Sequence, residues 1–306
     1  MIEVRQATPG DYEAITQIWS DQLPGDWMGT HRFTQYVLTD PQITPESWWV
    51  VVEQSQVRGF LVVSRIMKHT CHVGAMAIHR VWHRQGLARM LWAHVKALVR
   101  QRGVKHVLFD GILPHIFIPG IDRETYPAAW EWLTQEQGSK NLASVVAMAR
   151  PLDDIDGWDD VGRSQLLPGD LMMGIIPPFL RGEAMQVALR HFGPGWVRAL
   201  RETWLEDLRP DRVLGIFSES RVLGLSVVGG YDQPLGRLGP IGVIDALRGK
   251  GLGSRLLNYT LRYMKTYQVS QAYFLHCDVG IPAYFMYLRH GFHVTRTFIP
   301  LSLDLT

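Results

Sequence analysis

The sequence predicts an α/β (α+β) chain of two tandem domains, each a mixed central sheet flanked by helices. Three observations carry this. A length of 306 residues suits two domains of about 150 each. A pattern of strand, tight turn, strand, strand, glycine-rich turn and helix occurs twice. The copies are offset by 165 residues, which lays SQVRGFLVV (55–63) on SRVLGLSVV (220–228) with five of nine positions identical, against about one in fifteen for unrelated segments.

In chain order, IEVRQATPGDYEAITQIW reads as a strand and a helix, with Thr8 as N-cap and Asp11 in the first turn. Trp48–Val52, Val57–Ser64 and Val73–Ile78 follow as apolar strands, then HRQGLARML at 83–91. The second copy gives Val213–Phe217, Val222–Val228, Pro240–Ile244 and RGKGLGSRLL at 248–257. From Ser254 to Met264, leucines and aromatics recur at helical spacing. Acids, prolines and glycines concentrate in PLDDIDGWDDVGRSQLLPG, so the expected division is 1–152, a linker at 153–169, and 170–306.

The glycine-rich segment therefore turns a strand into a helix. At a helix start the first N–H groups lack intrahelical partners and the aligned dipoles add about half a positive charge, so anions bind there. Gly249, Gly251 and Gly253 would let a phosphate approach the backbone; Arg248 and Lys250 add full charges, and Leu252 and Ser254 complete the expected binding segment at 248–254. The first copy has His83, Arg84, Gln85, Gly86, Leu87, Ala88 and Arg89 in these places. At neutral pH an unperturbed histidine is mostly uncharged where arginine is always charged, which predicts a weaker grip in the first copy unless Arg84 and Arg89 compensate.

Neither a P-loop nor a G-x-G-x-x-G string is present. Arg-x-x-Gly-x-Gly, after a short strand and before a helix, resembles the pyrophosphate loop of the GNAT superfamily of acyl-CoA-dependent N-acyltransferases. The resemblance extends over most of both halves: QAYFLHCD (271–278) looks like the family's fifth strand and IPAYFMYLRHGF (281–292) like its last helix and Gly-Phe exit. The usual Asn before that helix is replaced by Asp278, Val279 and Gly280.

The resemblance implies a splayed pair of parallel strands with the pantetheine arm of acetyl-CoA in the gap. Main-chain groups near Ile241 and Val243, or Met76 and Ile78 in the first half, would hold the arm and polarise the thioester. An amine would attack directly, without a metal. Tyr287, four residues before Gly291, matches the tyrosine that protonates the departing thiolate, although with Tyr284 it also fits an aromatic packing stripe. The first half has Thr134 at that place, so it is expected to be a degenerate copy that can still hold CoA. The general base stays open among Asp232, Asp245, His276 and Asp278, with His276 and Asp278 ranked first because they end the fifth strand. A non-catalytic acyl-CoA-binding or sensing role is the alternative.

From glycine loop to helix exit the first half is twelve residues longer, an insertion at about 113–124 (LPHIFIPGIDRE) that either packs as a shaped functional loop or is inert. His69, Cys71, His72, His79 and His83 lie close in sequence but straddle a strand whose faces alternate, so no metal site is expected. The tryptophans, among them Trp48, Trp49 and Trp92, read as core. A net charge of +2 without a basic run argues against nucleic acid, and no segment reads as a signal peptide or membrane span. Cys71 and Cys277 form no disulfide framework, which points to a reducing, cytoplasmic setting. The expected partner is a small-molecule or peptide amine, and the expected state a monomer or homodimer.

Overall fold

Trp48–Glu53 is apolar at five successive positions and buried at all five, as a strand covered on both faces must be. The computed structural model describes residues 2–26, 28–40, 43–110, 116, 118–157, 164–206, 209–230 and 234–305. Its strands are β1 (Ile2–Gln6), β2 (Trp48–Glu53), β3 (Gln56–Val63), β4 (Thr70–Ile78), β5 (His106–Phe109), β6 (Lys140–Asn141), β7 (Val145–Pro151), β8 (Gln165–Leu167), β9 (Leu171–Ile175), β10 (Val213–Phe217), β11 (Val222–Val228), β12 (Leu238–Val243), β13 (Gln271–Asp278), β14 (His293–Phe298) and β15 (Leu301–Asp304). They form a seven-stranded sheet in the order β1-β2-β3-β4-β5-β15-β6, a five-stranded sheet β12-β11-β10-β9-β8 and a three-stranded sheet β13-β7-β14.

Two compact units result: Met1–Val146 with Arg296–Thr306, and Ala147–Thr295. This differs from the division expected at 153–169. The strand that closes the first half, β7, lies between β13 and β14, and the strand that closes the chain, β15, lies between β5 and β6. Leu301 and Leu303 of β15 pair antiparallel with Phe109 and Val107. With Leu305 they are buried among Trp92, Val95 and Val107 on the face covered by the helix Leu87–Gln101. The opposite face of the seven-stranded sheet carries the helix Tyr12–Gln22, whose Ile15, Ile18 and Trp19 pack on Val50, Phe60 and Val62.

Arg296, where the chain re-enters the first unit, is held by two carboxylates whose side chains are 6% and 5% exposed. It reaches Asp26 at 2.8 and 3.0 Å and Asp122 at 2.8 Å. Asp122 belongs to the insertion, of which residues 113–115, His115 among them, and 117 lie outside the described residues. The described part packs on the returning segment: Ile121 bridges Ile299, and a Cβ on Gly120 would come within 2.6 Å of the Pro300 nitrogen.

Thr8 precedes a 3-10 turn, Pro9–Asp11, that leads into the first helix. The Asp11 carboxylate accepts from the Thr8 N–H at 2.7 Å and from Arg5 at 2.7 and 2.9 Å, and chiefly the Arg5 bond lowers its pKa to about 2. A carboxyl held below its unfolded value stabilises above about pH 4, and that stability fades as pH falls through 2. Asp11→Asn is therefore expected to cost about 2 kcal/mol at pH 7 in urea melts, with the difference from wild type shrinking below pH 3.

Candidate functional site

In the first unit β4 and β5 run parallel in register over only three pairs, Thr70↔His106, Cys71↔Val107 and His72↔Leu108, although β4 continues to Ile78. In the second unit β12 and β13 meet at one parallel bridge, Arg237↔Tyr273, supported by a 2.8 Å bond from the Tyr273 N–H to the Gly236 carbonyl. These residues lie 165 beyond His72 and Leu108, so both sheets open at the same register. A bulge explains the parting: the β3–β4 register shifts between Val62 and Val63, and the β11–β12 register shifts between Ser226 and Val228. Such an extra residue bends its strand away from its neighbour. The repeated glycine has a packing cause as well. A Cβ on Gly59 would collide with Ile78 Cδ1, and one on Gly224 would come 3.0 Å from Val243 Cγ1.

Beyond the parting strands both units make the same turn. Gly86 and Gly251 cap their helices at φ +81° and +76°, each ahead of a 15-residue helix, Leu87–Gln101 and Leu252–Thr266. His83 and Arg248 share extended dihedrals near φ −60°, ψ +150°. Gly249 sits at φ +74°, and its counterpart Arg84 at +60°. A side chain held left-handed costs about 1 to 2 kcal/mol, so the first unit keeps the turn against strain. Gly253 is different: it is helical, and an added Cβ would make ordinary contact with Met286 Sδ at 3.6 Å, so Ala88 replaces it without strain.

This turn suits a phosphate. Nothing lies within 4 Å of a Cβ built on Gly249 or Gly251, and no side chain caps the helix. The N–H groups of Leu252, Gly253 and Ser254 have no acceptor among the described residues. Arg248 pairs with Asp245 at 2.7 Å, with both side chains more than 60% exposed. A pair so exposed is worth at most about 1 kcal/mol and yields readily to a better anion. His83 instead donates Nε2–H to the Ile78 carbonyl at 2.7 Å, a bond that needs no charge on the ring. Met76 and Ile78 face Leu61 and Gly59 across β3, as Ile241 and Val243 face Ser226 and Gly224 across β11.

Tyr287 is on the helix Pro282–Arg289, 8% exposed, with its ring 4.4 Å from Phe274 of β13 and 5.5 Å from Phe292. Burial, and secondarily the Cys277 sulfur, raise its pKa above the ordinary tyrosine value, so the phenol keeps its proton at neutral pH. Burial also pushes Cys277 to about 11 and Cys71 to about 12, which leaves both as inert thiols. Tyr284 is half-buried against Phe285. His276 and Asp278 are each 56% exposed and 4.0 Å apart. Asp245 is engaged by Arg248, and Asp232 lies outside the described residues.

The histidines of the first unit disperse. His69 bonds the Gly103 carbonyl, His79 caps Val81, and His72 pairs with Asp110 at 2.6 Å. Among the described residues no three His, Cys, Asp or Glu side chains converge as metal ligands. Sequence reading missed the His72–Asp110 pair, which is 38 residues apart and carries no spacing signal. It also missed Phe192 and Trp196, stacked at 4.1 Å and covering β12 at Gly242, where a Cβ would come within 3.1 Å of both rings. They lie on successive helices either side of Gly193, at φ +100°, so helical spacing gave no signal for the pair.

A sequence profile of the Acetyltransferase (GNAT) family matches residues 12–112 and 183–292. No curated protein matches by sequence. Among solved structures, a GCN5-related N-acetyltransferase from Sphaerobacter thermophilus aligns over 99% of this chain and 96% of its own, with a TM-score of 0.70 and 16% identity. A tandem GNAT protein from the clavulanic acid biosynthesis pathway aligns over 100% and 99%, with a TM-score of 0.67 and 17% identity. The glucosamine N-acetyltransferase region of a fungal multi-domain β-N-acetylglucosaminidase gives 0.76 at 15% identity; the chain spans 38% of that protein. At these identities the likeness is one of fold. No helix among the described residues is long and apolar enough to cross a membrane.

Proposed function

Because the chain belongs to the acetyltransferase (GNAT) family, with two domains of that fold in tandem, we propose that it transfers acetyl from acetyl-CoA to a primary amine of a small molecule or peptide, in its second unit. The observation that carries this reading is the parting of β12 from β13 at Arg237–Tyr273, followed by a helix start that no side chain caps and that cations flank. Main-chain groups of Ile241 and Val243 would hold the pantetheine arm, and Arg248, Lys250 and the N–H groups from Gly249 through Gly251 and Leu252 to Gly253 and Ser254 the pyrophosphate. When bound, acetyl-CoA supplies an acyl group already activated as a thioester. In the first unit Met76 and Ile78, with His83, Arg84, Gln85, Gly86, Leu87, Ala88 and Arg89, are the corresponding holding residues.

The chain's own groups then manage protons. Tyr287, kept protonated by burial, gives its phenolic proton to the departing sulfur. His276 and Asp278, at the end of β13, receive the proton that the attacking amine sheds, directly or through water. Two unpaired buried cysteines suit a reducing, cytoplasmic setting, and the working unit is a monomer or homodimer. The test is full-length protein with acetyl-CoA and a panel of an amino sugar, a polyamine, an arylalkylamine and a peptide N-terminus, read by mass spectrometry. An acetylated amine is expected. Tight acetyl-CoA binding with no turnover on any amine would replace this reading with that of a binding protein.

A further inference from the structure

We propose that the first unit is a second acyl-transfer site, in which His72 accepts the proton of the attacking amine and Asp110 holds it in position. This rests on the reading that the chain acetylates amines, and it departs from the expectation of a degenerate first half. His72 occupies the last register at which β4 and β5 are paired, so its ring stands where the gap begins. Asp110 follows β5 directly, and its Oδ1 is 2.6 Å from His72 Nδ1, with the two side chains 6% and 16% exposed. A carboxylate only accepts, so Nδ1 carries the proton and Nε2 is left as the acceptor, with no partner among the described residues. The strand backbone is pinned as well: the His72 N–H donates to Ser64 Oγ at 2.9 Å and its carbonyl accepts from the Ser64 N–H at 2.8 Å. A base oriented by a buried third group is the arrangement that nucleophile activation requires.

The second unit shows that the fold does not need this pair. At the same register the Gly229 N–H bonds the Arg237 carbonyl at 2.8 Å, repeating the Ser64–His72 bond, yet Arg237 and Leu275 stand where the first unit has His72 and Asp110. The same strands therefore part in the same way without a histidine or a carboxylate there. Strain in the loop agrees: the first unit keeps the helix-start turn even with Arg84 left-handed.

The chemistry balances without a tyrosine. The amine nitrogen bonds to the acyl carbon as the carbon–sulfur bond breaks, and the nitrogen's surplus proton passes to Nε2, giving an imidazolium beside the Asp110 carboxylate. The sulfur leaves with the bonding pair and takes that proton from Nε2 or from water. Thr134, whose hydroxyl donates to the Trp130 carbonyl at 2.7 Å, is not needed as an acid.

The test uses the full chain with Arg248→Glu and Tyr287→Phe, which silence the second unit, and follows thiol release from acetyl-CoA with the same amine panel or with water as acceptor. Residual turnover is expected. Adding His72→Gln should lower it about a hundredfold, and Asp110→Asn about tenfold, with KM for acetyl-CoA changed less than threefold. Nitrogen-15 NMR of histidine-labelled wild type, which needs no variant to fold, should find the proton of neutral His72 on Nδ1. A proton on Nε2 instead, or residual turnover indifferent to His72→Gln, overturns the proposal. So does wild-type activity that vanishes entirely once the second unit is silenced. A wild type inactive toward every acceptor would count against the acetyltransferase reading itself and take this inference with it.

Discussion

Tyr287→Phe is expected to lower kcat for amine acetylation by about 10²- to 10⁴-fold while leaving acetyl-CoA affinity nearly unchanged. The measurement is best made in a His72→Gln chain, so that turnover reports the second unit. Position supports the acid role: the residue stands four before Gly291 on the helix that follows β13, one residue after Met286, which flanks the helix-start loop at Gly253. Electrostatics support it too, since burial raises the phenol's pKa and the acid form persists through neutral pH. The competing role is packing against Phe274 and Phe292. Phenylalanine preserves those contacts, so packing alone predicts nearly normal turnover and at most about 1 kcal/mol of lost stability. Tyr284→Phe is the control. Retention of more than about a third of kcat in Tyr287→Phe would remove the residue from catalysis.

Arg296→Met is expected to destabilise the first unit by about 3 to 5 kcal/mol, because it strands two buried carboxylates. Asp26 loses a two-point ion pair, Asp122 loses one at 2.8 Å, and the Gly25 carbonyl loses a 2.9 Å donor. The Tyr126 hydroxyl still reaches Asp26 at 2.9 Å, and the Thr125 hydroxyl still reaches Asp122 at 2.7 Å, but neither supplies charge. Burial works to raise the pKa of Asp122, and hydrogen bonds from Thr125 and Arg296 outweigh it, so the native carboxyl titrates below its ordinary value. Its contribution is therefore present above about pH 4 and is lost as pH falls further. The deficit of Arg296→Met should accordingly be largest near pH 7 and shrink as pH falls below about 4 in chemical denaturation. An unchanged midpoint at pH 7 would show that the cluster merely sits at the re-entry point and does not hold it.

The duplication made most of the fold legible. Val213–Phe217 and Val222–Val228 are strands with the bounds that their apolar runs suggest, whereas the helical pattern read from Ser254 begins two residues earlier, at Leu252 directly after Gly251. What the sequence could not show is which sheet takes each closing strand. Val145–Pro151 opens on a continuous apolar run and Leu301–Asp304 alternates apolar with polar residues, and neither pattern names the sheet that takes the strand. The choice lies in long-range contacts such as Arg296 with Asp26, 270 residues apart. Of the site, the loop was readable because backbone conformation constrains residue type locally: left-handed φ calls for glycine at 249 and 251. The His72–Asp110 pair was not, because it forms only once β4 and β5 lie side by side.

Each unit is expected to hold acetyl-CoA between parting strands and at an open helix start. Calorimetric titration of acetyl-CoA into the full chain tests it most directly. The whole chain is required, since separating the halves near residues 153–169 would part β7 from β13 and β14, and β15 from β5 and β6. Two binding events per chain are predicted. Arg248→Glu, which sets a negative charge against the pyrophosphate, should weaken one of them by about 5- to 150-fold, for a contact worth about 1 to 3 kcal/mol, and leave the other in place. An isotherm that Arg248→Glu leaves unchanged would contradict the account.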